Sequence, residues 1–400
     1  MGYRFFLGPC RLLPIFLCLP VAALSQTQNA ASVRIIEDVP HTVFLAAGDL
    51  NGDGGVDLAL AEATFPRDPT KGKPIFRVNL LYQKAGGFAL PPDMSVELPA
   101  APSGLVMGDF DRDGRNDLAV GLRSQRSLAL YLGSEGFAKA HLSQYNNDSG
   151  AGGLCVGHIS REGGVDFMTG SAWRKWSPRD QFACGYFCGP ERNDNRRSTL
   201  ADLDRDGTDD LIFTTYWAPR TPKGSNNLIR LYYGPFLRVG LVGPSAAAEV
   251  LTLTSPFADS DQQAQGQVFA GDLNGDWQPD IIVGAPNQTL VYFQNSPTGF
   301  CDQAGPSLVL EGVTPWLAED LDADGLCDLV LRHTDANALS IWHQRKATPL
   351  TAKWRALSTT VTLQRAIVTM AAGAMDGHRK RTLFVALAHG GLAIVSPSPR

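Results

Sequence analysis

The feature that most constrains this chain is an acidic 14-residue stretch that recurs five times. It reads GDLNGDGGVDLALA from Gly48, GDFDRDGRNDLAVG from Gly108, ADLDRDGTDDLIFT from Ala201, GDLNGDWQPDIIVG from Gly271 and EDLDADGLCDLVLR from Glu319. Two weaker copies fill the gaps. Val156 to Gly170 keeps the strand-like VDFMTG without the acidic loop, and Gly373 to Ala386 keeps Asp376 and a strand from Thr382. Units starting about every 45 to 70 residues mean a repeat array, in which each unit buries its apolar face only against its neighbours.

Every unit has further strands around its acidic loop. A short apolar run precedes it, such as Val43 to Ala47, and a second run carrying an aromatic follows: Tyr82, Tyr131, Phe187, Tyr232, Tyr292 and Trp342, with Ile394 in the seventh unit. These aromatics are expected in the core between units. Gly-Phe pairs at Gly87-Phe88, Gly136-Phe137 and Gly299-Phe300 open another strand. With 41 Gly, 26 Pro and only 19% charged residues, the composition suits short strands and tight turns rather than helices. The sequence therefore predicts an all-β, seven-bladed β-propeller of four-stranded antiparallel blades, with calcium-binding loops, over residues 26–400.

The loop chemistry explains why those residue types recur. Counting from the first aspartate, oxygen-bearing side chains stand at positions 1, 3, 5 and 9. They are Asp49, Asn51, Asp53 and Asp57; Asp109, Asp111, Asp113 and Asp117; Asp202, Asp204, Asp206 and Asp210; Asp272, Asn274, Asp276 and Asp280; and Asp320, Asp322, Asp324 and Asp328. Hard oxygen donors at that spacing, with a position-7 carbonyl and water, suit Ca²⁺ better than Mg²⁺, which demands stricter octahedral geometry. Nearly half of the 40 acidic residues sit in these loops, and such crowding repels unless a cation or protons intervene. Gly54, Gly114, Gly207 and Gly325 at position 6 permit a sharp turn, whereas Trp277 stands there in loop five, so that loop is expected to take another shape and its calcium site is set apart from the other four. Position 12 is apolar instead of the glutamate of an EF-hand. About four or five Ca²⁺ ions per chain are expected, and none in units three and seven.

At the N-terminus, Arg4 and Arg11 flank an apolar run that ends at Ala23-Leu24-Ser25, the form of a secretory signal peptide over residues 1–25. Pro14 and Pro20 shorten the run below the ~20 residues needed to span a bilayer. Beyond it, Cys155, Cys184, Cys188, Cys301 and Cys327 are odd in number and irregularly spaced, which is no disulfide framework. No metalloprotease, nucleophile-elbow or phosphate-loop pattern occurs.

The D-x-[DN]-x-D-G-x-x-D loop followed by a strand resembles the FG-GAP/VCBS repeats of integrin α-chain propellers and of secreted bacterial proteins. Gly284-Ala285-Pro286 supplies the GAP element. The resemblance covers about residues 33–398 and implies a closed propeller with calcium loops on one face. The expected role is a secreted, periplasmic or extracellular module for adhesion or interaction, binding protein or glycan, monomeric, with no membrane span and no nucleic-acid partner. Trp173, Arg174, Trp176, Tyr216 and Trp217 lie in the longest departures from the repeat; they either contact a ligand or cap the core beneath a long loop. The alternatives are a polysaccharide lyase or hydrolase on a calcium-stabilised propeller, although no catalytic set is evident, and a purely structural domain.

Overall fold

The structure is a computed structural model that describes residues 31–396 except 69, 71, 86, 124–126, 145–153, 160–164, 170–171, 178–180, 188–196, 215–227, 235–239, 243–249, 255–266, 286, 297–298, 301–305, 335–336, 346–357 and 376–379. The leader expected at residues 1–25 lies outside the described residues, as do Cys188 and Cys301. Among the described residues there is no α-helix.

The strands form an all-β propeller whose six blades are sheets of four antiparallel strands, with an additional five-stranded sheet. Sheet one runs Thr42–Gly48, Asp57–Thr64, Ile75–Leu81 and Met94–Glu97; sheet two runs Pro102–Gly108, Asp117–Leu122, Ser127–Tyr131 and Ala140–Gln144. Sheets four, five and six repeat the plan from Arg197–Ala201, Val268–Gly271 and Val313–Glu319. Sheet three, from Leu154–Gly157, gains a parallel edge strand, Gly240–Val242, from the connection inside unit four. Sheet seven, from Ile367–Ala374, takes its outermost strand from the other end of the chain: Ser32–Ile36 pairs antiparallel with Leu392–Ser396.

Each unit's second strand is apolar on both faces because it lies between two neighbouring sheets. Asp57–Thr64, Asp117–Leu122 and Asp280–Ala285 are buried along nearly their whole length. Alternation sends successive residues to opposite neighbours. Leu58 and Leu60 pack toward sheet seven with Phe384 and Ile394, while Ala59 and Ala61 pack toward sheet two with Leu118 and Val120. The same sandwiching joins Phe110 to Phe167, Met168 to Leu211, Ile212 to Ile281, Ile282 to Leu329, and Val330 to Leu383.

The expected core aromatics Tyr131, Tyr232, Tyr292 and Trp342 are buried at one register position, each opposite the first apolar residue of the second strand. Tyr82, Phe187 and Ile394 do not take that place: Phe187 closes the fourth strand of sheet three, Gln181–Phe187, and Val395 rather than Ile394 faces Leu383. The residue paired with Leu58 is Leu81, so Tyr82 stands one place beyond the strand, where the other units have Leu132, Tyr233, Phe293 and His343. An aromatic next to the true core position attracts a pattern reading that backbone pairing corrects.

The glycine at or next to the end of the first strand in five of the units has a packing reason. A Cβ at Gly48 would meet Met107 Sδ at 2.7 Å and Asn116 Nδ2 at 3.4 Å, both from sheet two. Likewise Gly108 faces Val165 of sheet three, Gly157 faces Asp209 of unit four, Gly271 faces Cys327 of unit six, and Gly373 faces Val56 of sheet one. Position 8 of one loop thus seats on the glycine of the preceding unit. Gly271→Ala is expected to lower unfolding free energy by about 1–3 kcal/mol, with Cys327→Ala in the same chain recovering part of it. Denaturant melts in a double-mutant cycle would refute this seat if the two losses simply added.

Candidate functional site: the acidic loops

The five acidic loops share one hydrogen-bonded scaffold. The position-1 aspartate turns both oxygens inward. Asp49 accepts the Gly52 and Gly54 N–H groups at 2.7 and 2.8 Å, and Asp272 accepts those of Gly275 and Trp277 at 2.7 Å each. Asp109, Asp202 and Asp320 accept instead from positions 5 and 6, at 3.0–3.2 Å for the former and 2.9–3.0 Å for the latter (Asp113 N–H to Asp109 is 3.1 Å). The position-5 aspartate in turn accepts the position-7 N–H: Gly55, Arg115, Thr208, Gln278 and Leu326 all donate at 2.7–2.9 Å.

This winding requires left-handed backbone twice per loop. Position 4 has positive φ whether it is Gly52 (78°), Arg112 (67°), Arg205 (63°), Gly275 (81°) or Ala323 (62°). Position 6 does too, and Trp277 adopts φ 72° beside 83–87° for the four glycines. The different shape entertained for loop five on account of Trp277 is therefore absent: the Asp272 carboxylate holds the Trp277 N–H as it would a glycine's. The indole remains 60% exposed.

Position 9 lies beneath the loop and is fully buried in all five units. Its Oδ2 accepts the position-2 N–H, from Leu50, Phe110, Leu203, Leu273 and Leu321, at 2.8–2.9 Å. Its Oδ1 accepts an N–H just past the third strand, from Gln83, Gly133, Gly234, Gln294 and Gln344, at 2.7–3.0 Å. Desolvation outweighs these bonds: burial raises the Asp57 carboxyl and pushes Asp117 to about 6, Asp210 to about 7 and Asp280 to about 8. Burial, reinforced by neighbouring loop carboxylates, also raises Asp111 and Asp204.

Carboxylate oxygens converge most tightly where position 3 is aspartate. Asp109, Asp111 and Asp117, then Asp202, Asp204 and Asp206, then Asp320, Asp322 and Asp324 each bring three donor atoms within 4.8 Å of one another. In loops one and five, the amides of Asn51 and Asn274 donate to Asp53 and Asp276 at 3.0 and 3.1 Å, so an N–H already meets one carboxylate. One contributor escaped the loop pattern. His343 lies past the third strand of unit six, and its Nδ1 is 3.0 Å from Asp328 Oδ2. The signal was available only by aligning the residue after each third strand.

Other expected site residues fall elsewhere. Trp176 is 4% exposed and packs against His141 and Phe182 with ring centroids 4.7 and 4.8 Å away, which is the core-capping outcome. Tyr216 and Trp217 lie outside the described residues, and of Trp173 and Arg174 only the strand Ala172–Ser177 is described. In unit seven, Thr382 occupies the register place of the position-9 aspartate, and in unit three Asp166 does.

Two consequences can be measured. Trp277→Gly should raise unfolding free energy by about 1 kcal/mol, because it removes a bulky residue from left-handed backbone; a destabilised variant in thermal melts would show that indole contacts outweigh the strain. The second is a pH dependence in metal-free buffer. A buried carboxyl whose folded-state pKa is raised carries no penalty below about pH 4, near its unfolded value, and loses stability as pH climbs toward the folded value. Chelated protein should thus weaken steadily from about pH 4 toward pH 8, and Asp280→Asn should flatten the upper part of that slope. Urea melts across the range would contradict this if stability rose with pH.

Residues 49–120 match the family model described as the FG-GAP-like repeat, a span from loop one into the second strand of sheet two. No curated protein sequence matches the chain. Among solved structures, BBS1N in complex with ARL6DN, soaked with mercury, superposes with a TM-score of 0.55 at 12% identity, covering 93% of this chain and 96% of that one. A catalytically inactive virginiamycin B lyase from Staphylococcus aureus with quinupristin gives 0.51 at 11% identity, covering 92% and 99%. At such identities these likenesses speak for the fold alone. The chain carries an FG-GAP-like repeat at residues 49–120, set in an all-β propeller.

Proposed function

We propose that this protein is a calcium-binding, seven-bladed propeller that acts outside the cytoplasm as an adhesion or interaction module for protein or carbohydrate. The observation that carries the reading is the recurrence of one loop geometry at the same place in five units, each with a buried position-9 carboxylate at its base. In this reading the five-stranded sheet is the remaining blade, since its first strand packs between the first strands of sheets two and four.

The residues at positions 1, 3, 5 and 9 would hold the ions, with side-chain carbonyl oxygens from Asn51 and Asn274 completing loops one and five. A divalent cation would stabilise the ionised form of carboxylates that burial otherwise disfavours, and hard oxygen donors without imidazole suit calcium in loops one, two, four and five. It would also fix the loop backbone, leaving ligand recognition to other surfaces. Trp173, Arg174, Tyr216 and Trp217 are the proposed contacts there. A protein-binding role is in keeping with the BBS1N structure, in which that propeller is in complex with ARL6DN. We further take the chain to be secreted or periplasmic, released from a leader at residues 1–25, and monomeric. Among the described residues no helix is long and apolar enough to cross a membrane.

Calorimetric titration of the chelated chain lacking residues 1–25 should give about four or five calcium ions and a rise in melting temperature of more than about 5 °C. Absence of calcium uptake by the folded chain would overturn the metal reading. Calcium-loaded protein that captures nothing from glycan and surface-protein panels would overturn the binding-module reading.

A further inference from the structure

Loop six differs from the other four in one donor atom. The place after the third strand is held by Tyr82, Leu132, Tyr233 and Phe293 in the other acidic units, none of which offers a strong metal ligand; in unit six it is His343. The imidazole is buried, its side chain 7% exposed, and Nδ1 lies 3.0 Å from Asp328 Oδ2 and 3.8 Å from Asp322 Oδ2. All three donor atoms lie within 4.8 Å of one another. Asp322 Oδ1 is buried and meets no hydrogen-bond partner. In loops one, two and four the position-9 Oδ2 takes a second backbone N–H, at 3.2–3.3 Å from Asn51, Asp111 and Asp204; in loop six Asp328 Oδ2 has His343 beside it.

From this juxtaposition we infer that loop six is a mixed nitrogen–oxygen site for a divalent first-row metal ion of the Zn²⁺ or Co²⁺ kind, set among calcium loops. The inference rests on the reading of these loops as cation sites and narrows it for one of them. Ligands bonded at about 2.1 Å and subtending 90–110° at one ion stand roughly 3.0–3.4 Å apart, so the 3.0 Å pair already has that spacing and the 3.8 Å pair needs only a small side-chain rotation. Imidazole is a favoured ligand for zinc and its neighbours but not for calcium, which selects carboxylate, carbonyl and water. Asp320 and Asp324, which converge with Asp322, complete the anionic wall. The two carboxylates with the histidine supply nitrogen and oxygen, and His343 Nδ1 acts as the neutral donor.

The test loads chelated chain, lacking residues 1–25, with excess calcium, dialyses it against micromolar Zn²⁺ or Co²⁺, and counts both metals. Cobalt also gives a visible ligand-field spectrum that reports nitrogen coordination. The expected result is a single equivalent of zinc or cobalt held in the presence of calcium, lost in His343→Tyr and in Asp322→Asn. His343→Tyr installs the side chain that units one and four already carry at this place, and should keep the fold and the calcium of the other loops. Transition metal retained undiminished in His343→Tyr, or displaced from the wild type by calcium, would overturn the inference and reduce His343 to a hydrogen-bonding neighbour of Asp328. Calcium counts in the same samples separate the two readings, since the zinc equivalent can fail while calcium uptake persists, or persist while calcium fails.

Discussion

Everything in this propeller hangs on a carboxylate that has no business being dry. The position-9 aspartate of each acidic unit is the first residue of a second strand, fully buried, and reaches two parts of the chain that no sheet ladder connects: the turn above it and the segment beyond the third strand. Two or three N–H bonds hold it, each worth more than a neutral one because the acceptor is charged. They do not repay removal from water, as the raised carboxyl pKa values at Asp117, Asp210 and Asp280 show. In loop two further carboxylate oxygens converge on this buried acid, those of Asp109 and Asp111 on Asp117.

Loops built this way are linked to one another. Asn116 of loop two donates to the Asp49 carbonyl of loop one at 2.8 Å, and Gln294 of unit five donates to the Leu203 carbonyl of loop four at 2.9 Å. With the glycine seats, these bonds tie the loop of one unit to the first strand or loop of its neighbour. The core between sheets is divided into separate clusters, each shared by two consecutive sheets. Such nearest-neighbour packing is how a repeat architecture accumulates stability without a single centre.

The architecture was largely legible because one physical demand, a tight acidic turn running into a strand buried on both faces, leaves the same residues in five places. What escaped shows where patterns stop. Tyr82 looks like its aligned counterparts, yet the strand register gives that place to Leu81. Trp277 reads as a disruption, but Asp272 pulls its N–H into the left-handed turn regardless. His343 belongs to no local motif and gains meaning only when folding brings it to Asp328, 15 residues earlier. Trp176 carries a large aromatic surface whose fate, exposed or packed, depends on His141 and Phe182. Nor does anything in SVRII announce that it completes the last sheet, since its partner lies at the opposite end of the chain.

That terminal strand also sets how the ring responds to force. Ser32 faces Ser396 and Ile36 faces Leu392, so the two chain ends enter their shared ladder side by side at the same end. Tension through the ends would peel Ser32 from Ser396 first and load the remaining bonds one after another, rather than shearing them together. A ring whose sheets resist separation through buried contacts is therefore closed by a seam that opens in sequence, like a zipper pulled from its tab.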